Sequence, residues 1–214
     1  MKHIVSYFLY TLTSLFTIVN PLSAMPFYNS LIEGSETNIG PRIARRATIA
    51  AFVAMLFFGV AGKFVFSFFN ISIDGLRVVG GILFFISGYD MLQGRETRTK
   101  SMSASERLNI QDVELRAITP LAIPLITGPG TITFIMVAMH ESVTFVDRAI
   151  LFVSAVVVSL ATYFILIGSK RIISIIGESG QKVFIRLMGL ILMMIAVEYF
   201  FAGLRPYVHR LLAP

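Results

Sequence analysis

The 214-residue sequence has no cysteine. That excludes disulfides, thiol nucleophiles and thiolate metal sites, and it says little about compartment. Charge is sparse: Asp, Glu, Lys and Arg make up 14% of the chain. It holds no P-loop, no His-Glu-x-x-His, no dinucleotide fingerprint and no Gly-x-Ser-x-Gly. With no nucleophile–base set to assemble, the sequence offers no catalytic residue, no metal ligand and no cofactor motif. The expectation is a protein that is not an enzyme.

Apolar sequence takes the place of these features. The chain is 56% hydrophobic, with a mean hydropathy of +0.80. Several runs exceed the roughly 18 apolar residues that suggest a bilayer span. Six apolar segments stand out, at about 4–31, 43–69, 75–92, 117–139, 149–168 and 183–204. Lys2 precedes a run too long for a signal peptide and without a small-residue cleavage site, so the first segment reads as the first span. The fold expected is all-α and polytopic, with the lipid bilayer as its main partner. Residues 94–116, rich in Ser, Arg and Glu, read as a polar cytoplasmic linker between membrane units at 1–93 and 117–214.

The net charge of +6 does not argue for nucleic acid, because Lys and Arg gather in loops beside spans. Twelve lie in the loops after segments one, three and five, against six on the other side. The positive-inside bias then places both termini on the outer, periplasmic side.

Two stretches interrupt the apolar pattern. One is Asn20-Pro21, followed by Ser23 and Pro26. The other is Thr119-Pro120 through Pro124 to Thr127-Gly128-Pro129-Gly130-Thr131. Proline removes a donor and clashes with the preceding turn, so a helix cannot run cleanly through either stretch. In hydrocarbon, such a break is tolerated only where protein or a water-filled cavity satisfies the freed groups. Asn20 suits an N-cap and Pro21 the first helical position; Thr127 or Gly128 with Pro129 repeats that pattern. The plainer reading of each break is a Pro kink with no ligand. Whether each is a broken span or a re-entrant hairpin stays open from sequence.

The chain also looks duplicated. Pro21 and Pro129 lie 108 residues apart, as do Glu33 and Glu141. Arg77 and Arg186 lie 109 apart, as do Gly80 and Gly189, within Leu76-Arg-Val-Val-Gly-Gly81 and Ile185-Arg-Leu-Met-Gly-Leu190. An odd number of spans per half would turn the second half upside down. The expectation is therefore a 3+3 inverted repeat, with broken first and fourth helices whose N-terminal ends approach the midplane. Such ends offer free N–H groups and a positive dipole end to a carboxylate. The expected substrate-binding residues are Asn20, Pro21, Ser23, Thr127, Gly128, Pro129, Gly130 and Thr131. Glu198 and Asp90 are the candidates for proton coupling, and Arg77 and Arg186 for charge pairing. Against these stand plainer roles: Ser and Thr patching helix carbonyls, Arg snorkelling at helix ends, Asp90 as a solvated cap.

These motifs resemble the MarC-related integral membrane proteins, classed with neutral amino acid transporters. The likeness covers essentially the whole chain. It rests on Asn20-Pro-Leu-Ser-Ala-Met-Pro26, Ile71-Ser-Ile-Asp-Gly-Leu-Arg-Val-Val-Gly-Gly-Ile82, the proline stretch from Pro120 to Ile132, and Gly177-Glu-Ser-Gly180 with Arg186-Leu-Met-Gly-Leu190. Many relatives carry Gly where this chain has Ser23. The resemblance implies six spans in a bacterial or archaeal inner (plasma) membrane, and carriage of small neutral amino acids such as glycine and alanine. A passive small-solute channel and a non-transporting membrane protein are the alternatives, and a homo-oligomer is left open.

Overall fold

Proline and glycine decide where the helices stop. The computed structural model describes residues 2–32, 39–94 and 117–212, and among these it is helical without a strand. The elements in order are α1 (Lys2–Val19), α2 (Pro21–Ile32), α3 (Ile39–Phe69), α4 (Ile73–Leu92), α5 (Ala117–Ile126), α6 (Pro129–Glu141), α7 (Phe145–Ile167) and α8 (Ser169–Leu212). Glu33, the predicted linker beyond Gly94 and the five basic residues within it lie outside the described residues.

Among the described residues, five stretches are long and apolar enough to cross a membrane: Ile4–Ile32, Ile39–Phe69, Ile73–Leu92, Phe145–Ile167 and Ser179–Leu212. The fourth expected segment, 117–139, is divided between α5 and α6. α5 has 10 residues and α6 has 13, each too short to cross alone at about 1.5 Å per residue. The protein is a multi-pass, all-helical membrane protein. Many of its large apolar side chains point outward, with Phe57, Phe64 and Phe68 at 63%, 70% and 69% exposure. In a soluble protein such a surface would aggregate; in hydrocarbon it is the solvated face.

Local chemistry explains the ends. Ser72 caps α4 by accepting from Gly75 N at 3.0 Å. Thr144 and Asp147 close a reciprocal capping box at the start of α7. α5 is wound in wide π-type turns, with Thr127 N donating to Ala122 O at 2.8 Å. Pro120 and Pro124 lack the N–H that a tighter ladder needs. The last helix begins at Ser169, earlier than the segment read from sequence, and turns sharply at Gly177, whose φ of 74° and ψ of 163° suit glycine alone.

The core of the pairing is α4 against α8. A Cβ on Gly88 would sit 2.6 Å from Gly189 O, and one on Gly189 would sit 2.6 Å from Gly88 O. A Cβ on Gly81 would meet Ala196 O at 2.8 Å, and one on Gly203 would meet Asp74 O at 2.6 Å. The contacts step by seven residues along each helix in opposite directions. Two antiparallel helices thus touch backbone to backbone. Small residues make that approach possible, as packing in lipid requires.

Contacts at the ends orient the remaining helices. At one face, Tyr7 OH pairs with Ser142 Oγ at 3.2 Å, Ser72 Oγ with Tyr207 OH at 2.7 Å, and Arg77 with Glu141. At the other face, Ser169 Oγ donates to Asn29 Oδ1 at 2.6 Å. α1 and α2 therefore run from the first face to the second. α5, packed on α2 and α3, and α6 run back toward the first.

Candidate functional site

Both predicted breaks exist, and they differ in kind. Asn20 separates α1 from α2 with φ of 42°. Asparagine tolerates this left-handed conformation better than other non-glycine residues. Its N–H still donates to Phe16 O at 2.9 Å, and its carbonyl accepts from Ser23 N at 3.0 Å. The expected N-cap is corrected here: a cap residue has extended φ and ψ, whereas Asn20 is left-handed and its Oδ1 accepts from no group. Pro21 does stand at the first position of α2, buried.

Asn20 is 4% exposed. Its Nδ2 reaches only Met91 Sδ at 3.8 Å, a weak acceptor. Asn20 Oδ1 and Ser23 Oγ are buried without a hydrogen-bond partner. An unsatisfied buried acceptor costs about 1–3 kcal/mol, so two such groups at one helix break need a reason for being kept.

The second break is better knitted. Thr127, 1% exposed, donates to Ala51 O of α3 at 3.2 Å. Thr131, 2% exposed, reaches back across the break to Ile126 O at 3.3 Å. Ala51 lies well inside α3, so this break packs against the body of that helix rather than its end. Gly128 is the N-cap of α6 with φ of −77° and ψ of 175°, and no side chain caps the helix start; Pro129 follows at the first turn. A Cβ on Gly130 would press on the Phe84 ring at 2.9 Å and meet Ile18 at 3.7 Å. Ile18 lies two residues before Asn20, so α1 near its break adjoins the start of α6. The arrangement offers acceptor oxygens at the end of α1 and an uncapped positive helix end at α6.

The charged candidates scatter. Arg77 is paired, with Asp74 Oδ1 at 3.6 Å and with Glu141, which joins the start of α4 to the end of α6. Sequence reading singled out both Arg77 and Glu141 but did not pair them. Arg186 is exposed beside Gly94. Asp90 is half-buried near the end of α4. Glu198 is on the exposed side of α8, within electrostatic reach of Tyr10. None of these four touches the break residues. Among the described residues no group of three or more His, Asp or Glu side chains is placed to hold a metal.

A cavity of about 470 Å³ opens elsewhere, among α3, α6 and α7, lined in part by Lys63, His140 and Arg148. Sequence reading did not find it, because Lys63, His140 and Arg148 come from three separate segments.

Known proteins agree in one direction. The family profile described as MarC family integral membrane protein matches residues 5–208. A UPF0056 membrane protein of Methanocaldococcus jannaschii is 34% identical over 201 residues, covering 94% of this chain and 88% of its own. One from Pyrococcus horikoshii is 34% identical over 207 residues, covering 96% and 98%. One from Bacillus subtilis is 34% identical over 202 residues, covering 94% and 95%. No solved structure gives a significant match. With relatives in archaea and bacteria that align end to end with it, this multi-pass chain belongs to the MarC family of integral membrane proteins.

Proposed function

We propose that the protein is a secondary transporter of small neutral amino acids, of the glycine and alanine kind, across the inner membrane. The observation that carries the reading is the pair of unpartnered buried acceptors, Asn20 Oδ1 and Ser23 Oγ, at a helix break. The second break lies close by, and its α6 start has no side-chain cap. A zwitterion fits this polarity. Its ammonium donates to the oxygens at the end of α1, and its carboxylate takes the N–H groups at the start of α6. The tight fit of Gly130 against Phe84 and Ile18 favours a small side chain.

The finer architecture belongs to the same proposal: six spans in two inverted halves of three. A shift of 108 residues carries Pro21 onto Pro129, Gly81 onto Gly189 and Gly88 onto Ala196. Under that shift the contact Gly81–Ala196 becomes Gly189–Gly88, which is a second of the three contacts in the seam. Such an exchange is what a two-fold axis between α4 and α8 produces. The cytoplasmic linker, the outer placement of both termini and proton coupling through Glu198 or Asp90 rest on the sequence reading given above.

The test is uptake of labelled glycine and alanine into proteoliposomes under an imposed proton gradient. Saturable, gradient-driven accumulation supports the carrier, with Glu198→Gln losing accumulation but keeping exchange. Non-saturating flux would point to a channel, and no flux across a panel of small amino acids would overturn the proposal.

A further inference from the structure

The cavity among α3, α6 and α7 is built differently from the rest of the outer surface. It measures about 470 Å³, and Lys63, His140 and Arg148 are among its lining residues together with Gly59, Phe66 and Met136. No acidic residue lines it. The neighbouring carboxylates are engaged elsewhere: Glu141 pairs with Arg77, and Asp147 accepts from Thr144 N at 3.1 Å and Thr144 Oγ1 at 2.7 Å. Lys63 has no acidic partner among the described residues.

Arg148 and His140 are each held by a local contact. Arg148 Nε donates to Ser142 O at 3.2 Å, which anchors the guanidinium. Ser142 is itself fixed by Ala138 O at 2.8 Å. The His140 ring stands edge-on to Phe66, with centroids 6.3 Å apart. Glycine makes room in the wall: a Cβ on Gly62 would press on Met136 at 3.1 Å, and one on Gly59 on Ile135 at 3.1 Å.

Position selects the ligand. Lys63 lies in the last two turns of α3, His140 in the last turn of α6 and Arg148 in the first turn of α7. All three therefore stand at one membrane face, near the end of the bundle. The wall is apolar along Gly59, Val60, Phe66, Met136 and Met139, and Val60, at 71% exposure, opens it to lipid. A soluble anion needs only the cations; a phospholipid needs the cations and a greasy wall for its acyl chains, and both are present.

We infer that this cavity is a binding site for the phosphodiester headgroup of an anionic phospholipid, with Lys63 and Arg148 holding the phosphate and His140 donating a hydrogen bond. A fixed cation near a lipid phosphate contributes roughly fivefold in affinity. Removing Lys63 and Arg148 together should therefore weaken binding by at least about tenfold.

The experiment is native mass spectrometry and lipid titration on the full chain in detergent, with three probes: phosphatidylglycerol, phosphatidylcholine and inorganic phosphate. Lys63→Gln/Arg148→Gln is compared with wild type and with Arg45→Gln, a residue lining a different groove on α3. The inference requires phosphatidylglycerol to bind wild type and the Arg45 variant alike, above phosphatidylcholine, and to lose at least about tenfold in the double variant. Equal phosphatidylglycerol binding by the double variant would overturn it. Saturable binding of inorganic phosphate without preference for the lipid would overturn the lipid assignment. His140→Gln, which keeps a donor, separates a missing fold from a missing site: it should retain most of the affinity.

Discussion

The α4–α8 seam and the two helix breaks lie side by side and are built on opposite principles. The seam has no room: at Gly88 and Gly189 one backbone sits where a side chain would begin. The contact is held by shape, backbone against backbone. The breaks interrupt that economy. At Asn20 and Ser23, polar atoms are buried and unmatched, and at Gly128 a helix starts without a side-chain cap. The contrast separates what holds the bundle together from what is kept at the expense of stability.

The comparison breaks most visibly at the seam. Gly88→Leu or Gly189→Leu should destabilise by about 3 kcal/mol, since the new side chain meets backbone and cannot be relieved by a rotamer change. Size-exclusion chromatography of the detergent extract should show little monodisperse protein. Normal yield would mean that the seam is looser than described.

Asn20→Gly tests the first break. Glycine keeps the left-handed backbone while removing the carboxamide, so melting temperature should change little and uptake should fall at least about tenfold. A large loss of stability with proportionate activity would make Asn20 a structural residue. A third change compares helix starts. Thr144→Ala removes the capping box of α7 and should cost about 1 kcal/mol without affecting uptake, as a thermal melt beside a flux assay would record. The smallest stability effect is expected at the other start. Gly128→Ser supplies a cap in backbone geometry that already suits one, worth a few tenths of a kcal/mol, yet it should lower uptake by occupying the amide groups that a carboxylate would use.

Much of this was legible in the sequence, and unevenly so. Pro21, Pro124 and Pro129 announced the interruptions because proline's missing donor is a covalent fact, independent of context. Apolar length announced the spans. The role of Asn20 was misread because asparagine favours both N-caps and left-handed positions, and only the tertiary environment chooses between them. The Arg77–Glu141 pair joins residues far apart in the chain, and no local pattern encodes it. The seven-residue spacing of Gly81 with Gly88, and of Gly189 with Ala196 and Gly203, was on the page, but spacing alone does not name the partner helix. The start of the last helix at Ser169 escaped notice because Lys170, Arg171 and Glu178 dilute the apolar pattern that marks a span. The cationic cavity was hidden for the same reason as the ion pair: Lys63, His140 and Arg148 belong to three helices.

The central claim is that the breaks hold a small zwitterion between the end of α1 and the start of α6. Calorimetric titration of glycine into the purified protein tests it most directly, run beside the Asn20→Gly/Gly128→Ser double variant. Saturable binding by the wild type and none by a folded double variant is the result predicted. Equal binding by both, or no binding of any small neutral amino acid by the wild type, would contradict it.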